Sequence, residues 1–124
     1  MRNEDLIKSF DADSTINPYR IVKFSSDGAV VQAAAATDFL VGISNSLGAT
    51  TGERCDVVLE DIAEVEYGGN VTRGALLTSD ANGKAVVAAP ASGVNNRIVG
   101  LAMVSGVSGD IGSVLLERCL IQGQ

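Results

Sequence analysis

One order of turns and apolar runs occurs twice in this 124-residue chain, and any fold must accommodate both occurrences. In residues 75–117 an apolar run ends in the turn Asp80-Ala81-Asn82-Gly83, and Ala85-Val86-Val87 follows. A small-residue loop, residues 88–96, leads to Ile98-Val99-Gly100-Leu101-Ala102. A Gly/Ser loop then ends at Gly109-Asp110, and Val114-Leu115-Leu116-Glu117 closes the unit. Residues 20–60 repeat that order. Ser26-Asp27-Gly28 answers Ser79-Asp80…Gly83, and Ala29-Val30-Val31 answers Ala85-Val86-Val87. Val41-Gly42-Ile43 answers Val99-Gly100-Leu101, Gly52-Glu53 answers Gly109-Asp110, and Val57-Val58-Leu59-Glu60 answers Val114-Leu115-Leu116-Glu117. Val41 and Val99 lie 58 positions apart, Glu60 and Glu117 57 apart. So constant an offset points to a degenerate tandem duplication of a strand–turn–strand–loop–strand–loop–strand unit.

Each unit is built of short apolar runs cut by Gly, Asn, Asp and Ser, and no window sustains a helical i, i+3, i+4, i+7 stripe. The expectation is an all-β domain, a sandwich or small barrel. Asp27-Gly28 suits a tight hairpin turn because both residues tolerate positive φ. Residues 39–43 predict a short buried strand and residues 114–121 a strand, and residues 61–67 alternate strictly, with Glu64 and Glu66 on one face. Residues 1–17 differ. They mix charges with the isolated apolar residues Leu6, Ile7, Phe10 and Ile16, and Pro18 ends any helix there. The division expected is an N-terminal arm, residues 1–17, ahead of a β domain, residues 18–124.

Composition narrows the function. Histidine is absent, which removes the commonest general base and the Ser-His-Asp and Cys-His arrangements. The best acid pairs are Glu60-Asp61 and Glu64…Glu66. On a strand face they would share a proton or hold a hard cation, but such a face more often serves to resist edge pairing. Gly68-Gly69 and Gly106…Gly109 open no helix and so make no phosphate cradle. The expectation is no enzyme, no metal and no cofactor. Nine basic residues against fifteen acidic ones argue against direct nucleic-acid binding. No apolar run is long enough for a membrane helix. The acidic start has no signal-peptide core, so synthesis in the cytoplasm is expected. Cys55 and Cys119 fall near matched positions in apolar strand patterns, and buried free thiols are expected rather than a bridge. With no tryptophan and five aromatic residues, each subunit's core should be thin, which favours oligomer burial.

The hairpin VTRGALLTSDANGKAV, residues 71–86, and the ending IVGLAMVSGVSGDIGSVLL, residues 98–116, resemble the phage capsid cement, or head decoration, proteins. The segment FLVGISNSLGATTGERCDVVLEDIAEVEYGG, residues 39–69, is similar to what precedes them in that family. The resemblance covers residues 19–121 and rests on the order and spacing of turns, not on reactive side chains. It implies a β-clip or β-tulip-like small barrel like the lambda-type decoration protein, a homotrimer, and an arm. Its implied partner is the major capsid protein, and its implied place is the virion capsid surface, holding neighbouring capsid subunits against internal DNA pressure. In that picture Leu6, Ile7, Phe10 and Ile16 on the arm contact the capsid. Two rivals share the composition. One is a trimeric β-clip enzyme or small-ligand-binding domain of the dUTPase type, for which Asp11-Ala12-Asp13 and Tyr19-Arg20 lie too near the terminus. The other is a subunit of a phage fibre or appendage.

Overall fold

The computed structural model describes residues 7–122 and contains ten strands and no helix among them. The first five are β1 (Ile7–Ala12), β2 (Ile21–Ser26), β3 (Ala29–Gln32), β4 (Leu40–Ser44) and β5 (Arg54–Val58). They close into a barrel in the order β1-β3-β2-β4-β5. The second five are β6 (Ile62–Glu66), β7 (Leu76–Ser79), β8 (Ala85–Val87), β9 (Asn95–Ala102) and β10 (Ile111–Gln122), in the order β6-β10-β9-β7-β8. Renumbered from its own first strand, the second sheet has the strand order of the first. The all-β expectation therefore holds, and the duplication is a duplication of topology.

The correspondence reaches individual residues. In the β1–β5 ladder Ile7, Lys8, Ser9, Phe10 and Asp11 face Val58, Val57, Asp56, Cys55 and Arg54. In the β6–β10 ladder Ile62, Ala63, Glu64, Val65 and Glu66 face Leu115, Val114, Ser113, Gly112 and Ile111. The parallel pairing of β1 with β3, Ala12 opposite Val30, closes the first barrel. Its counterpart is a single parallel bridge from Tyr67 to Ala85, which nearly closes the second. The antiparallel bridges Ile16–Ala49 and Val71–Gly106 also correspond.

This register corrects four expectations. Residues 7–17 are not a free arm: Ile7–Ala12 is the strand that closes the first barrel, the counterpart of β6, and Ile16 is pinned to Ala49 by two 2.8 Å backbone bonds. The repeated units therefore begin at β1 and β6, not at residues 20 and 75. Within the hairpins, Val30 rather than Ala29 answers Ala85. Cys55 answers Gly112 rather than Cys119, which pairs with Ile98 beyond a bulge in β10.

Alternation, broken by one bulge in β4 between Leu40 and Gly42, explains the interior. Phe10, Ala12, Val22, Val30, Val41, Cys55 and Val57 fill the first barrel. The opposite side of the same strands presents Ile21, Leu40, Ile43 and Val58, and these join Ala63, Val65, Val99 and Leu116 of the second half in one core. All five residues of β4 are buried because the strand is covered on both faces. A continuous apolar run, LVGIS, is what such a strand requires. At fifty-odd residues each, two half-domains would be marginal alone; sharing a core makes them one body.

Polar contacts complete the seam. The Ile21 amide donates to the Gly83 carbonyl at 2.7 Å, and the Glu66 amide to the Tyr19 carbonyl at 2.9 Å. The Arg20 guanidinium reaches the Asn82 carbonyl at 3.0 Å and the Glu66 carboxylate at 3.2 Å, and Lys84 Nζ lies 3.3 Å from that carboxylate. Arg118 donates across the seam to the carbonyls of Val41 and Leu59.

Candidate functional site

The four residues expected to contact a partner separate in the structure. Phe10 and Ile16 are buried in the first barrel, where Phe10 meets Phe24 edge-on at 5.6 Å between centroids. Residues committed to a core cannot also fill pockets on another protein, so Phe10 and Ile16 are corrected from contact residues to core residues. Ile7 points outward and is 52% exposed. Leu6 lies outside the described residues.

The acid pair does not form a site. Glu64 is exposed on the outer face of β6. Glu66 is engaged by Arg20 and Lys84. Its burial alone would raise the carboxyl pKa, but the bonds from Lys84 and Arg20 outweigh that and hold it below the usual carboxylate range. Among the described residues no three His, Cys, Asp or Glu side chains gather as metal ligands would. Asp11 is tied to Arg54 by a 2.7 Å ion pair on the surface, and Arg20 is engaged by Glu66. Cys55 is buried and its thiol is pushed up to about 11 by burial and by the Asp56 charge, so it is a poor nucleophile. Cys119 is exposed and unbridged.

What the surface does offer is apolar. A shallow cleft of about 230 Å³ lies between Phe39, Leu40, Arg97, Ile98, Arg118 and Leu120, with the Arg97 guanidinium 5.1 Å from the Phe39 ring centroid. A second, more open hollow is lined by Lys8, Phe10, Phe24 and the β2–β3 turn. A further feature is a row across the outer face of the second sheet. Ile62 faces Leu115, Leu115 faces Leu101, and Leu101 faces Leu76, so four apolar side chains stand side by side on β6, β10, β9 and β7. Ile62 is 40% exposed, Leu76 37% and Leu115 36%, with Leu101 half-buried between them. Sequence reading missed this row because each member sits in a different strand and next to an inward-facing apolar neighbour. In β7, β9 and β10 the alternation that marks a half-buried strand is absent, β6 alternates but shows only one apolar outward residue, and only the ladder register reveals the row. Rows of this kind are surfaces for protein contact rather than for chemistry.

The comparisons agree with that character. A family model described as "Phage cement protein" matches residues 7–116, which run from the first residue of β1 to Leu116 in β10 and so take in both halves. The crystal structure of the head fiber gp8.5 N base of bacteriophage phi29 is similar to this chain, with a TM-score of 0.69 over 96% of this chain and 99% of that one. The two share 20% sequence identity, so the likeness is one of fold. No curated protein sequence matches the chain.

Proposed function

The chain belongs to the phage cement protein family, and from that membership we propose that it decorates the outside of the expanded head as a homotrimer and stabilises it against internal DNA pressure. The observation that carries this is the family match over both halves of the fold. The surface supports it: the described residues hold an apolar outer row and no cluster of reactive or metal-ligating side chains. The partner is then the major capsid protein, and the place of action is the virion surface after synthesis in the host cytoplasm. The acidic balance, nine basic residues to fifteen acidic, favours a protein partner over the packaged DNA.

The physical role is that of a clamp. One rigid trimer presents each contact three times, so once one is made the others are intramolecular, and avidity exceeds a single contact by ~100-fold or more. Within the N-terminal segment, Ile7 is the apolar residue available for such a contact, since Phe10 and Ile16 hold the barrel. The strand-addition mode, in which a free arm joins a capsid sheet, does not fit residues 7–17.

A second reading has one observation in its favour, the likeness in fold to the head fiber base of phi29. In that reading the chain is the base of an appendage. Heating DNA-filled heads of the source phage that lack the protein, with and without adding it back, separates the two. Decoration predicts a higher temperature of DNA release on add-back. An appendage base binds the head and leaves that temperature unchanged.

A further inference from the structure

Two arginines share one cleft, and neither meets a carboxylate among the described residues. Arg20 and Lys84 pair with Glu66, Lys23 with Asp38, and Arg54 with Asp11. Arg97 and Arg118 stand outside these pairs, and both line the cleft of about 230 Å³ beside Phe39. Lys8 and Arg73, also outside the pairs, are exposed residues that do not line it. In a chain with fifteen acidic residues to nine basic, two like charges in one cleft without a counter-ion make a local positive potential.

Both guanidinium groups are held in place. Arg97 lies over the Phe39 ring, and Arg118 donates to the carbonyls of Val41 and Leu59. These contacts fix position and leave the charges in place. Arg97 faces Leu120 in the β9–β10 ladder, and Arg118 enters beside them from the bulge in β10. Phe39 is 61% exposed and Leu120 49%, so the cleft has apolar walls open to a partner. The repeat does not supply this arrangement. The strand β5 ends at Val58, the counterpart of Leu115, whereas β10 runs on through Arg118 and Leu120.

Planar guanidinium forks on preset stems match a carboxylate, and the walls match an apolar group beside it. We propose that this cleft receives an acidic side chain of the partner protein, flanked by an apolar one. The carboxylate lies between Arg97 and Arg118, and the apolar group lies against Phe39 and Leu120. The inference rests on the decoration reading above, in which the partner is the major capsid protein, and it gives the chemistry of that contact.

Cys119 also lines the cleft and is exposed, so it reports whether the cleft is covered. Iodoacetamide labelling of the full chain, free and sedimented with emptied expanded heads, is read by mass spectrometry. The expected result is labelling of Cys119 in the free protein and loss of that labelling on heads. Emptied heads hold no DNA, so phosphate is not the anion being bound. Arg97→Glu and Arg97→Gln, checked for fold by circular dichroism, are titrated against the same heads. Arg97→Glu should bind about 30-fold more weakly, the loss usual when one partner of a desolvated charge pair is removed. Arg97→Gln should also bind more weakly, with a shallower dependence on salt than the unaltered protein. Should Arg97→Glu not fold, Arg97→Gln and the labelling of the unaltered protein decide. Cys119 labelled as fast on heads as off them overturns the inference and leaves decoration standing, and so do folded variants that bind like the unaltered protein. Cys119 already protected in the free protein overturns it as well, and assigns the cleft to the chain itself or to a second copy. An unaltered protein that does not bind heads overturns both readings.

Discussion

Tyr67 occupies the space that a side chain at Gly112 would need. A β-carbon at Gly112 would fall 2.7 Å from Cε2 of the Tyr67 ring and closer still to its hydroxyl carbon, while the hydroxyl donates to the Val104 carbonyl at 2.7 Å. Gly106 faces the same ring, with 2.9 Å to Cδ2 and Cε2 from a β-carbon there. In the first half the corresponding residues are Ala12, Ala49 and Cys55. One unit thus fills its end with a tyrosine against two glycines, the other with three small side chains, and the packed volume is kept by exchange between neighbours. The substitution Gly112→Ala should therefore destabilise by ~2–3 kcal/mol through overpacking. Tyr67→Ala alone should cost ~3–5 kcal/mol through the cavity. Combining Tyr67→Ala with Gly106→Ala and Gly112→Cys, the first-half set, should cost less than the single changes added together. Urea denaturation of the unaltered protein, the three single variants and the triple variant measures it, and strict additivity would count against coupled packing.

Gly42 and Gly100 are matched in both sequence and surroundings. A β-carbon at Gly42 would lie 2.8 Å from Val57 Cγ1, and one at Gly100 would lie 2.7 Å from Val114 Cγ1, each also pressing on a strand carbonyl. Alanine at either site should lower stability by ~1–3 kcal/mol. Because the two sites see the same geometry, the two losses should agree within about 1 kcal/mol; widely different melting shifts would show that the halves are not equivalent there.

The first strand supplies a third expectation. Removing residues 1–12 opens the first barrel and exposes Cys55 and Val57, so the truncated chain should fail to give a cooperative melt. Phe10→Ala should cost ~3–5 kcal/mol, the usual range for a buried phenylalanine. A truncated chain that melts like the full one would restore the free-arm picture.

That strand also shows where sequence reading stops. The strands β2, β4 and β9, and both hairpin turns, are legible because apolar runs and turn residues lie next to each other in the chain. The strand β1 is not, for two physical reasons. Its inward positions are Lys8, Phe10 and Ala12 and its outward ones Ile7, Ser9 and Asp11, so charge and apolarity fall on both faces and the period-2 signal cancels. Its partner Val58 is some fifty residues away, so no local turn announces the pairing. The duplication was legible from Val41-Gly42 and Val99-Gly100 onward, where glycine is imposed by the neighbouring valine. It was not legible at β1 and β6, which share little beyond Ile7 and Ile62. The matching of Cys55 with Cys119 failed because the counterpart of Cys55 is Gly112, and Cys119 lies further along β10, in a stretch that extends beyond anything in β5.

The seam between the halves should be pH-dependent. Glu66 is charged in the fold at a pH where the unfolded carboxylate begins to protonate, about 4.3, because Lys84 and Arg20 hold it below the usual range against the opposing effect of burial. A carboxylate depressed in the fold contributes stability above its unfolded pKa and loses it as pH falls through the folded value. Glu66→Gln should therefore melt lower than the unaltered protein at pH 7, by on the order of 1 kcal/mol for so partly exposed an ion pair. The difference should shrink toward pH 2. A gap that persists at pH 2 would show that the loss is one of shape and not of charge.

The thiols should separate cleanly. Cys119 is exposed and Cys55 is buried with its thiol pushed up to about 11. A water-soluble disulfide reagent at pH 8 should modify one thiol per folded chain rapidly and the second only on unfolding. Two fast thiols would mean that the first barrel opens readily.

The central claim is capsid decoration, and co-sedimentation with emptied, expanded heads of the source phage, titrated to saturation, tests it most directly. The account predicts saturable binding at three chains for each local three-fold position of the shell, and little binding to unexpanded shells. Folded protein that stays in the supernatant with expanded heads at every concentration would contradict it.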